Sequence, residues 1–288
     1  MKPLPFKVPK SSSHSLRIQV DKQAYFYDRL HYHPEWQITL ILRSEGTLFI
    51  GDGIHRFGVG DIFMIGSNLP HLFKNDALYY GENSPGAHSI SLFFDEDSFG
   101  KGFFDLPELK EIKVMLGQAN KGIYFSGIGD ALAQNLIQGL EREKGFPLLL
   151  RFYALLALLG QEKEVHFLST ISYAKAQAES AGKRMDDVLQ FIFKHYDRTI
   201  TIDEAAQAAN LSVPAFSRYF KLHTRKTFIS YLNEVRIHAA CKLLVDKEYP
   251  IGQVAFMVGF NNLSNFNRQF KRIMGLAPMA YQQLSLTR

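Results

Sequence analysis

The sequence has few of the features that tie a protein to a membrane or to an oxidising compartment. Cys241 is its only cysteine, so the chain cannot form an internal disulfide. Its longest apolar run, from Phe146 to Leu159, contains Arg151 and is too short to cross a bilayer. The segment from Met1 to Ser15 has no apolar core of a secretory signal. We therefore expect a cytoplasmic protein with no membrane partner.

Positive charge is concentrated towards the C-terminus. The 288 residues include 33 Lys and Arg against 28 Asp and Glu. Of these, residues 183–288 contain 15 basic against 8 acidic residues, which leaves 18 against 20 for residues 1–182. A basic segment beside a nearly neutral one predicts a nucleic-acid-binding module joined to a module with another task.

The C-terminal hundred residues contain one pattern twice. The copies are Ile202, Ala206, Leu211, Phe216, Arg218, Phe220, Lys221 and then Ile251, Ala255, Phe260, Phe266, Arg268, Phe270, Lys271. Equivalent residues are 49 positions apart before the turn and 50 after it, so the second turn has one extra residue. Each copy predicts a short helix, a turn and a second helix, which is typical of a helix-turn-helix.

The second helix of each copy has an aromatic face and a polar face. Phe216 and Phe220, like Phe266 and Phe270, are four residues apart and so lie on one side of a helix. Ser212 precedes the first of these helices, and Asn261 or Asn262 precedes the second, in the position of an N-cap. A helix from about Phe228 to Leu244 is predicted to join the two copies. We expect it to hold two reading helices about one DNA turn, roughly 34 Å, apart.

The residues of the C-terminal segment resemble those of a known protein family. The segment from about Lys183 to Leu284 resembles the DNA-binding domain of AraC-type transcription regulators, which consists of two helix-turn-helix units on a shared helix. The resemblance is carried by Leu211-Ser212, Phe216 to Lys221, Tyr231-Leu232-Asn233, Arg236, Ala240, Val254-Ala255, Gly259-Phe260, Ser264, Phe266, Arg268, Phe270-Lys271, Gly275 and Pro278. Two residues depart from the family pattern, since Arg225 replaces the usual glycine and Gln282 a common arginine.

The resemblance implies which side chains contact double-stranded DNA. Base edges would be read by Pro214, Ser217, Arg218, Leu263, Ser264, Asn267 and Arg268. Phosphates would be bound by Lys221, Arg225, Lys226, Lys271 and Arg272, and Arg218 and Arg268 could equally bind phosphate. The alternative is that these cations only form a solvated surface. Repetition in the same register favours the DNA contact.

The first hundred residues predict short strands separated by turns. They cover Trp36 to Leu42, Thr47 to Ile50, His55 to Val59, Ile62 to Ile65, His71 to Lys74 and Ser89 to Phe94, with a hairpin turn at Asp52-Gly53. The order His31-Tyr32-His33-Pro34-Glu35, Gly60-Asp61 and Pro70-His71 is similar to a cupin barrel, the usual sensor of AraC-type regulators. The resemblance covers roughly Leu16 to Phe94.

Four polar residues of this barrel are candidates for ligand contact. Enzymatic cupins hold a metal with two histidines at i and i+2, a carboxylate and a later histidine, and His31, His33, Glu35 and His71 are similar to that set. Glu35, however, follows His33 more closely than in metal cupins. The sequence leaves three roles open for these four residues, namely metal ligands, pocket residues and purely structural residues. We predict that His33, Glu35, Trp36 and His71 line an effector pocket, although Trp36 could equally be core, and we expect no cofactor and no metal.

Apolar residues at helical spacing predict helices at Leu106 to Ala119, Ile128 to Glu143 and Leu148 to Thr170, which would cover the barrel or form a homodimer interface.

The expected fold is α+β multidomain, with an N-terminal cupin-like β-barrel followed by helices and a C-terminal all-α domain of two helix-turn-helix units. The expected divisions are a barrel at 1–105, helices at 106–174, a linker at 175–183 and the DNA-binding domain at 184–288.

The predicted function is sequence-specific transcription regulation controlled by a small-molecule effector. Pocket polarity in such sensors is compatible with a sugar, without excluding aromatic acids or peptides. Two other classes stay open, namely a metal-dependent cupin-type enzyme, and an effector-independent protein that binds RNA or DNA. No catalytic residue is assigned, and the sequence does not distinguish an activator from a repressor.

Overall fold

The computed structural model describes residues 4–5, 15–125, 130–162, 164–170, 175–246 and 249–284. The chain divides into two compact units, residues 1–182 and residues 183–288. The first unit combines antiparallel sheets with helices, and the second is helical in its described part. The expected α+β multidomain fold class is thereby confirmed. None of the described helices has the length and the apolar composition that crossing a bilayer requires.

Two sheets form the first unit. The strands are β1 (Leu4–Pro5), β2 (Arg17–Gln23), β3 (His31–Tyr32), β4 (Trp36–Arg43), β5 (Gly46–Ile50), β6 (Gly53–Phe57), β7 (Ile62–Ile65), β8 (His71–Asn75), β9 (Ala87–Phe94), β10 (Ile123–Phe125) and β11 (His166–Phe167). The order is β1-β3-β8-β5-β6 in one sheet and β11-β10-β7-β4-β9-β2 in the other. Except for the parallel β1 and β3, the paired strands are antiparallel. Strand β2 was not anticipated from the sequence.

The central strand β4 is buried on both faces, because it has the barrel interior on one side and helices on the other. Ile38 and Leu40 belong to a core formed with the helices, whereas Ile41 belongs to the core between the two sheets. Gln37 and Thr39 share the inner face with Ile41, since strand side chains alternate. An apolar run without clear alternation in the sequence is thus explained by a strand with two covered faces.

Three helices cover the second sheet. They are α1 (Lys110–Gln118), α2 (Asp130–Leu140) and α3 (Gly145–Gly160), and their apolar faces pack on its outer side. The helix predicted for Leu148 to Thr170 is wrong beyond Gly160. Instead, the chain returns to the sheet as β11, and the Leu168 amide donates to the carbonyl of Gly122. Leu168 is buried in the core between the sheets, and this burial outweighs its helical spacing.

The second unit contains seven helices in its described residues. They are α4 (Lys175–His195), which begins before the unit boundary, α5 (Ile202–Ala208), α6 (Val213–Thr224), α7 (Phe228–Asp246), α8 (Ile251–Met257), α9 (Leu263–Met274) and α10 (Pro278–Leu284). The connection between α5 and α6 has four residues and that between α8 and α9 has five, which explains the spacings of 49 and 50. Residues 175–183, expected to be a linker, are helical within α4, and their role as a linker stays a prediction.

Candidate functional site

The helices α6 and α9 each bury an aromatic face and expose a polar one. Phe216 and Phe220 are fully buried, as are Phe266 and Phe270. All ten predicted DNA contacts are exposed, namely Pro214, Ser217, Arg218, Lys221, Arg225, Leu263, Ser264, Asn267, Arg268 and Lys271. The structure therefore brings together four accessible side chains on α6, followed by Arg225 at its end, and five on α9. Whether they touch DNA remains a prediction.

The first turn of each exposed helix is capped differently. The Asn262 side chain accepts a hydrogen bond of 3.0 Å from the backbone amide of Asn265, so Asn262 rather than Asn261 is the N-cap of α9. The Asn265 side chain in turn accepts from the Arg268 guanidinium at 2.9 Å, which orders this arginine along the helix. Ser212 occupies the equivalent position before α6 without a capping bond from its side chain. The N-terminal end of α9 is therefore better organised than that of α6.

Left-handed residues occupy equivalent positions in both repeats. Asn210 (φ 52°) and Gly259 (φ 85°) lie in the turns, and Arg225 (φ 55°) and Gly275 (φ 77°) end the exposed helices. The Arg225 and Gly275 amides donate to Lys221 and Lys271, so both helices end with the same hydrogen bond. Arg225 hence keeps a conformation that favours glycine. This agrees with the family resemblance, in which glycine is usual at this position.

A buried arginine connects the segment before the first repeat to the turn of the second repeat. The Arg236 guanidinium, on α7, donates to the carbonyls of Tyr196 and Arg198 at 2.8 and 2.6 Å. It also lies over the Phe260 ring, 5.6 Å from the ring centroid. A side chain at Gly259 would collide with both the Tyr196 carbonyl and this guanidinium. Arg236 therefore joins the end of α4 to the turn of the second repeat, a role that its helical spacing alone did not reveal.

A cavity of about 400 Å³ lies within the first unit. Its polar wall comes from alternate residues of β2, β4 and β9 and includes Gln19, Asp21, Gln37, Thr39, Ser89 and Ser91. Aromatic side chains complete it, among them Tyr25, Phe26, Tyr27, Phe73 and Phe93. The polar residues already bond to one another, since the Gln37 amide donates to Thr39 Oγ1 at 2.6 Å and Thr39 Oγ1 lies 2.9 Å from Ser91 Oγ. The cavity is thus lined both by hydrogen-bond donors and acceptors and by aromatic rings.

Of the four predicted effector contacts, His33 and His71 line this cavity and Trp36 and Glu35 do not. The Trp36 ring packs 5.6 Å from Phe94 and 6.0 Å from Phe104, measured between centroids, on the helix-covered side of the sheet. Glu35 is buried with its carboxylate 3.7 Å from His33 Nδ1. Neither Glu35 nor Trp36 therefore lines this cavity, and whether they contact an effector stays a prediction. Strand alternation explains the position of Trp36, because Gln37 occupies the inner face.

An acidic residue of the β5–β6 turn holds the chain that follows the barrel. The Asp52 carboxylate accepts from Ser169 Oγ at 2.6 Å and from the Thr170 amide at 2.8 Å, and it also accepts from Thr170 Oγ1. His55 on β6 lies with its Nε2 2.6 Å from the Leu168 carbonyl. The sequence identified Asp52 only as a turn residue. Its bonds to residues 169 and 170, more than a hundred positions away, could not be read from local spacing.

Two family patterns match the chain. Residues 13–80 match the AraC-like ligand binding domain, and residues 205–284 match the helix-turn-helix domain. The uncharacterized HTH-type transcriptional regulator YdeC of Bacillus subtilis is 34% identical over 264 residues, which cover 90% of this chain and 87% of that protein. The probable transcriptional regulator LumQ of Photobacterium leiognathi is 26% identical, with 88% and 91% covered. The HTH-type transcriptional activator RhaS of Pectobacterium carotovorum is 23% identical, with 90% and 88% covered.

Proposed function

Because the chain belongs to the AraC family of DNA-binding transcription regulators, we propose that the exposed faces of α6 and α9 read an operator while the barrel cavity binds the effector. The family gives DNA as a partner and a small molecule as a ligand. The single observation that carries the residue assignment is the repeated burial of two phenylalanines beneath an exposed basic face.

The proposed division of contacts follows from side-chain chemistry. Arg218, Arg268 and Asn267 have forked donors or acceptors that suit base edges in the major groove. Lys221 and Lys271 lie one helical turn further along, where a point charge binds phosphate in any sequence. We expect the first three to set sequence preference and the two lysines to set affinity and salt dependence.

The test is selection of genomic fragments by the purified full-length protein, followed by titration of a recovered site against random duplex and against RNA. We expect a preference for the recovered duplex and an affinity that falls steeply with salt. Equal binding to random duplex would contradict sequence-specific reading. Preference for RNA would favour the alternative of an RNA-binding protein.

For the effector we propose a small polar molecule, with sugars as the first class to test. The amides, the hydroxyls and the carboxylates of Asp21 and Asp28 that line the cavity can both donate to and accept from hydroxyl groups, and its aromatic rings can cover an apolar face. Thermal shift of the full-length protein against sugars, aromatic acids and short peptides separates these classes. Sugars should raise the unfolding temperature if this part of the proposal holds, and stabilisation only by another class would replace it.

The effector signal is proposed to leave the barrel through residues 164–170. Phe73 lines the cavity and packs in the same core as Leu168, and the two residues after Leu168 are held by Asp52. Beyond them the chain continues towards α4 and the DNA-binding unit. A ligand that repacks this core would change how residues 164–170 are held. It can regulate only if it binds the two resulting arrangements of the protein with different affinities.

We also propose that the barrel binds rather than catalyses, and that the protein acts as a homodimer. The binding role of the barrel is supported by the regulators to which the chain is similar.

The homodimer is supported by apolar side chains exposed on α2 and α3, at Leu132 (55%), Phe146 (67%) and Leu150 (54%). Sedimentation of the full-length protein and of Leu150→Glu tests it, since the variant should lower the dimer fraction.

A further inference from the structure

Three buried histidines converge on one side of the barrel cavity. His31 on β3 pairs with His71 on β8 across the sheet, and His33 follows β3. Their ring centroids lie 4.3 Å (His31 to His71), 5.2 Å (His33 to His71) and 6.1 Å (His31 to His33) apart. One nitrogen from each ring lies within 4.8 Å of the corresponding nitrogens of the other two. This spacing allows the three rings to bind one ion.

A backbone carbonyl lies beside Nδ1 of each ring. His31 Nδ1 lies 2.8 Å from the Arg29 carbonyl, His33 Nδ1 3.0 Å from the Glu35 carbonyl, and His71 Nδ1 2.8 Å from the Leu69 carbonyl. A carbonyl can only accept a hydrogen bond, so the proton of neutral His31 and neutral His71 belongs on Nδ1 and their Nε2 atoms carry a lone pair. His33 faces an acceptor at both nitrogens, because the Gln37 amide oxygen lies beside its Nε2. A hydrogen bond from one ring nitrogen to a carbonyl also orients histidines that bind metals in proteins.

The lone pair of His71 Nε2 has no hydrogen-bond donor in the described part of the chain. The His71 side chain is fully buried and lines the cavity. Leaving such an acceptor buried and unsatisfied is unfavourable. His33 Nε2 lies 2.9 Å from Gln37 Oε1, so with the proton of His33 on Nδ1 both of these atoms are acceptors. A cation beside the rings would satisfy both groups.

Burial also affects the protonation of the three rings. Burial lowers the pKa of His31 to about 4, and it also lowers the pKa of His33 and His71, with the neighbouring histidines adding to the decrease for His31 and His71. The rings are therefore neutral near pH 7. Neutral imidazole is the form that binds transition metals.

We propose that His31, His33 and His71 bind one divalent first-row transition ion through their Nε2 atoms, inside the effector cavity. Glu35, placed against the other ring nitrogen of His33, is an outer partner rather than a ligand. This departs from the sequence-based expectation of no metal. It goes beyond the proposed function, because DNA reading by the second unit does not depend on it.

The test uses untagged full-length protein freed of metal and then titrated with Co²⁺ alone near pH 7.5. We expect the visible absorption of nitrogen-bound cobalt to saturate at one equivalent per chain, and Zn²⁺ to displace it. His71→Asn and His33→Asn should each weaken binding by more than the roughly 10- to 100-fold loss typical of an outer partner. His166→Asn is the matched control, since this histidine is exposed on β11.

Wild-type protein alone also tests the proposal, in case the variants fail to fold. Zn²⁺ should shift the Nε2 resonances of three histidines in ¹⁵N-edited NMR spectra and leave their Nδ1 atoms protonated. Absence of a one-equivalent cobalt spectrum in folded wild-type protein would overturn the site. The site would also be overturned if His166→Asn lost cobalt binding while folded His71→Asn and His33→Asn kept the wild-type affinity. In either case the operator titration described above still decides the regulator function separately.

Discussion

Arg225→Gly should stabilise the DNA-binding unit and weaken its hold on DNA. Arg225 ends α6 at φ 55°, in the left-handed region, and it is exposed. In this region an L-residue with a Cβ atom is disfavoured by about 1–2 kcal/mol. Glycine avoids that strain but raises the entropy of the unfolded chain, which offsets about 0.5–1 kcal/mol of the gain.

The expected net gain in unfolding free energy is thus about 0.5–1 kcal/mol. For a unit of roughly 100 residues this corresponds to a rise in unfolding temperature of about 2–8 °C. The DNA effect has the opposite sign. If Arg225 binds one phosphate, its loss should reduce the slope of log affinity against log salt by about 0.9, with similar weakening on all sequences.

The assay can separate the two units because Trp36 is the only tryptophan and lies in the first one. Tryptophan fluorescence follows the first unit alone, whereas far-UV circular dichroism follows the helices of both units, so a transition seen only by circular dichroism belongs to the second unit. Gly275→Ala is the matched control, because this glycine has φ 77° and an added Cβ would meet no atom within 4 Å. It should therefore destabilise by about 1 kcal/mol through backbone strain alone. A less stable Arg225→Gly with a neutral Gly275→Ala would refute the argument from strain, and an unchanged salt slope would refute the phosphate contact.

Five further substitutions test four other groups of contacts. Arg268→Ala should weaken operator binding by about 1–3 kcal/mol without changing the unfolding temperature, and an unchanged titration would remove it from base reading. Asn262→Ala should cost about 1 kcal/mol of unfolding free energy and Ser212→Ala less, because only Asn262 caps its helix through the side chain; equal losses in urea titrations would contradict this. Arg236→Met should cost about 3 kcal/mol because two carbonyls lose a charged donor, and a loss below about 1 kcal/mol would show that water replaces it. Asp52→Ala should speed amide hydrogen exchange at residue 170, whereas unchanged exchange would show that the carboxylate does not hold this segment.

The repeat in the second unit could be predicted because its helices obey local rules. Phenylalanines four residues apart must share one face of a helix, so the burial of Phe216 and Phe220 and the exposure of Arg218 follow from spacing alone. The extra residue of the second turn could be located for the same reason. The choice of Asn262 over Asn261 as N-cap could not, since both precede the helix and only the backbone decides which side chain reaches Asn265.

In the barrel, some strands could be predicted from the sequence and others could not. Composition and turn residues were sufficient to predict strands at β4, β5, β7, β8 and β9, because β-branched and aromatic residues favour a pleated surface. They were not sufficient for β2, whose residues Arg17 to Gln23 are mostly polar since the strand lines the cavity. Nor did they predict that Leu168 ends the helical segment by entering the barrel core.

The sequence by itself therefore determined the features that depend on the spacing and type of residues along the chain, namely the two helix-turn-helix units, the basic polar face and the class of the barrel. What only the tertiary structure decided is which distant residues meet. The direction in which β4 alternates turned Trp36 towards the helices and Gln37 into the cavity, and pairing of β3 with β8 brought His71 beside His31. Strand pairing joins residues about forty positions apart through hydrogen bonds between backbone groups, which are the same in every residue except proline, so no local pattern of side chains records it.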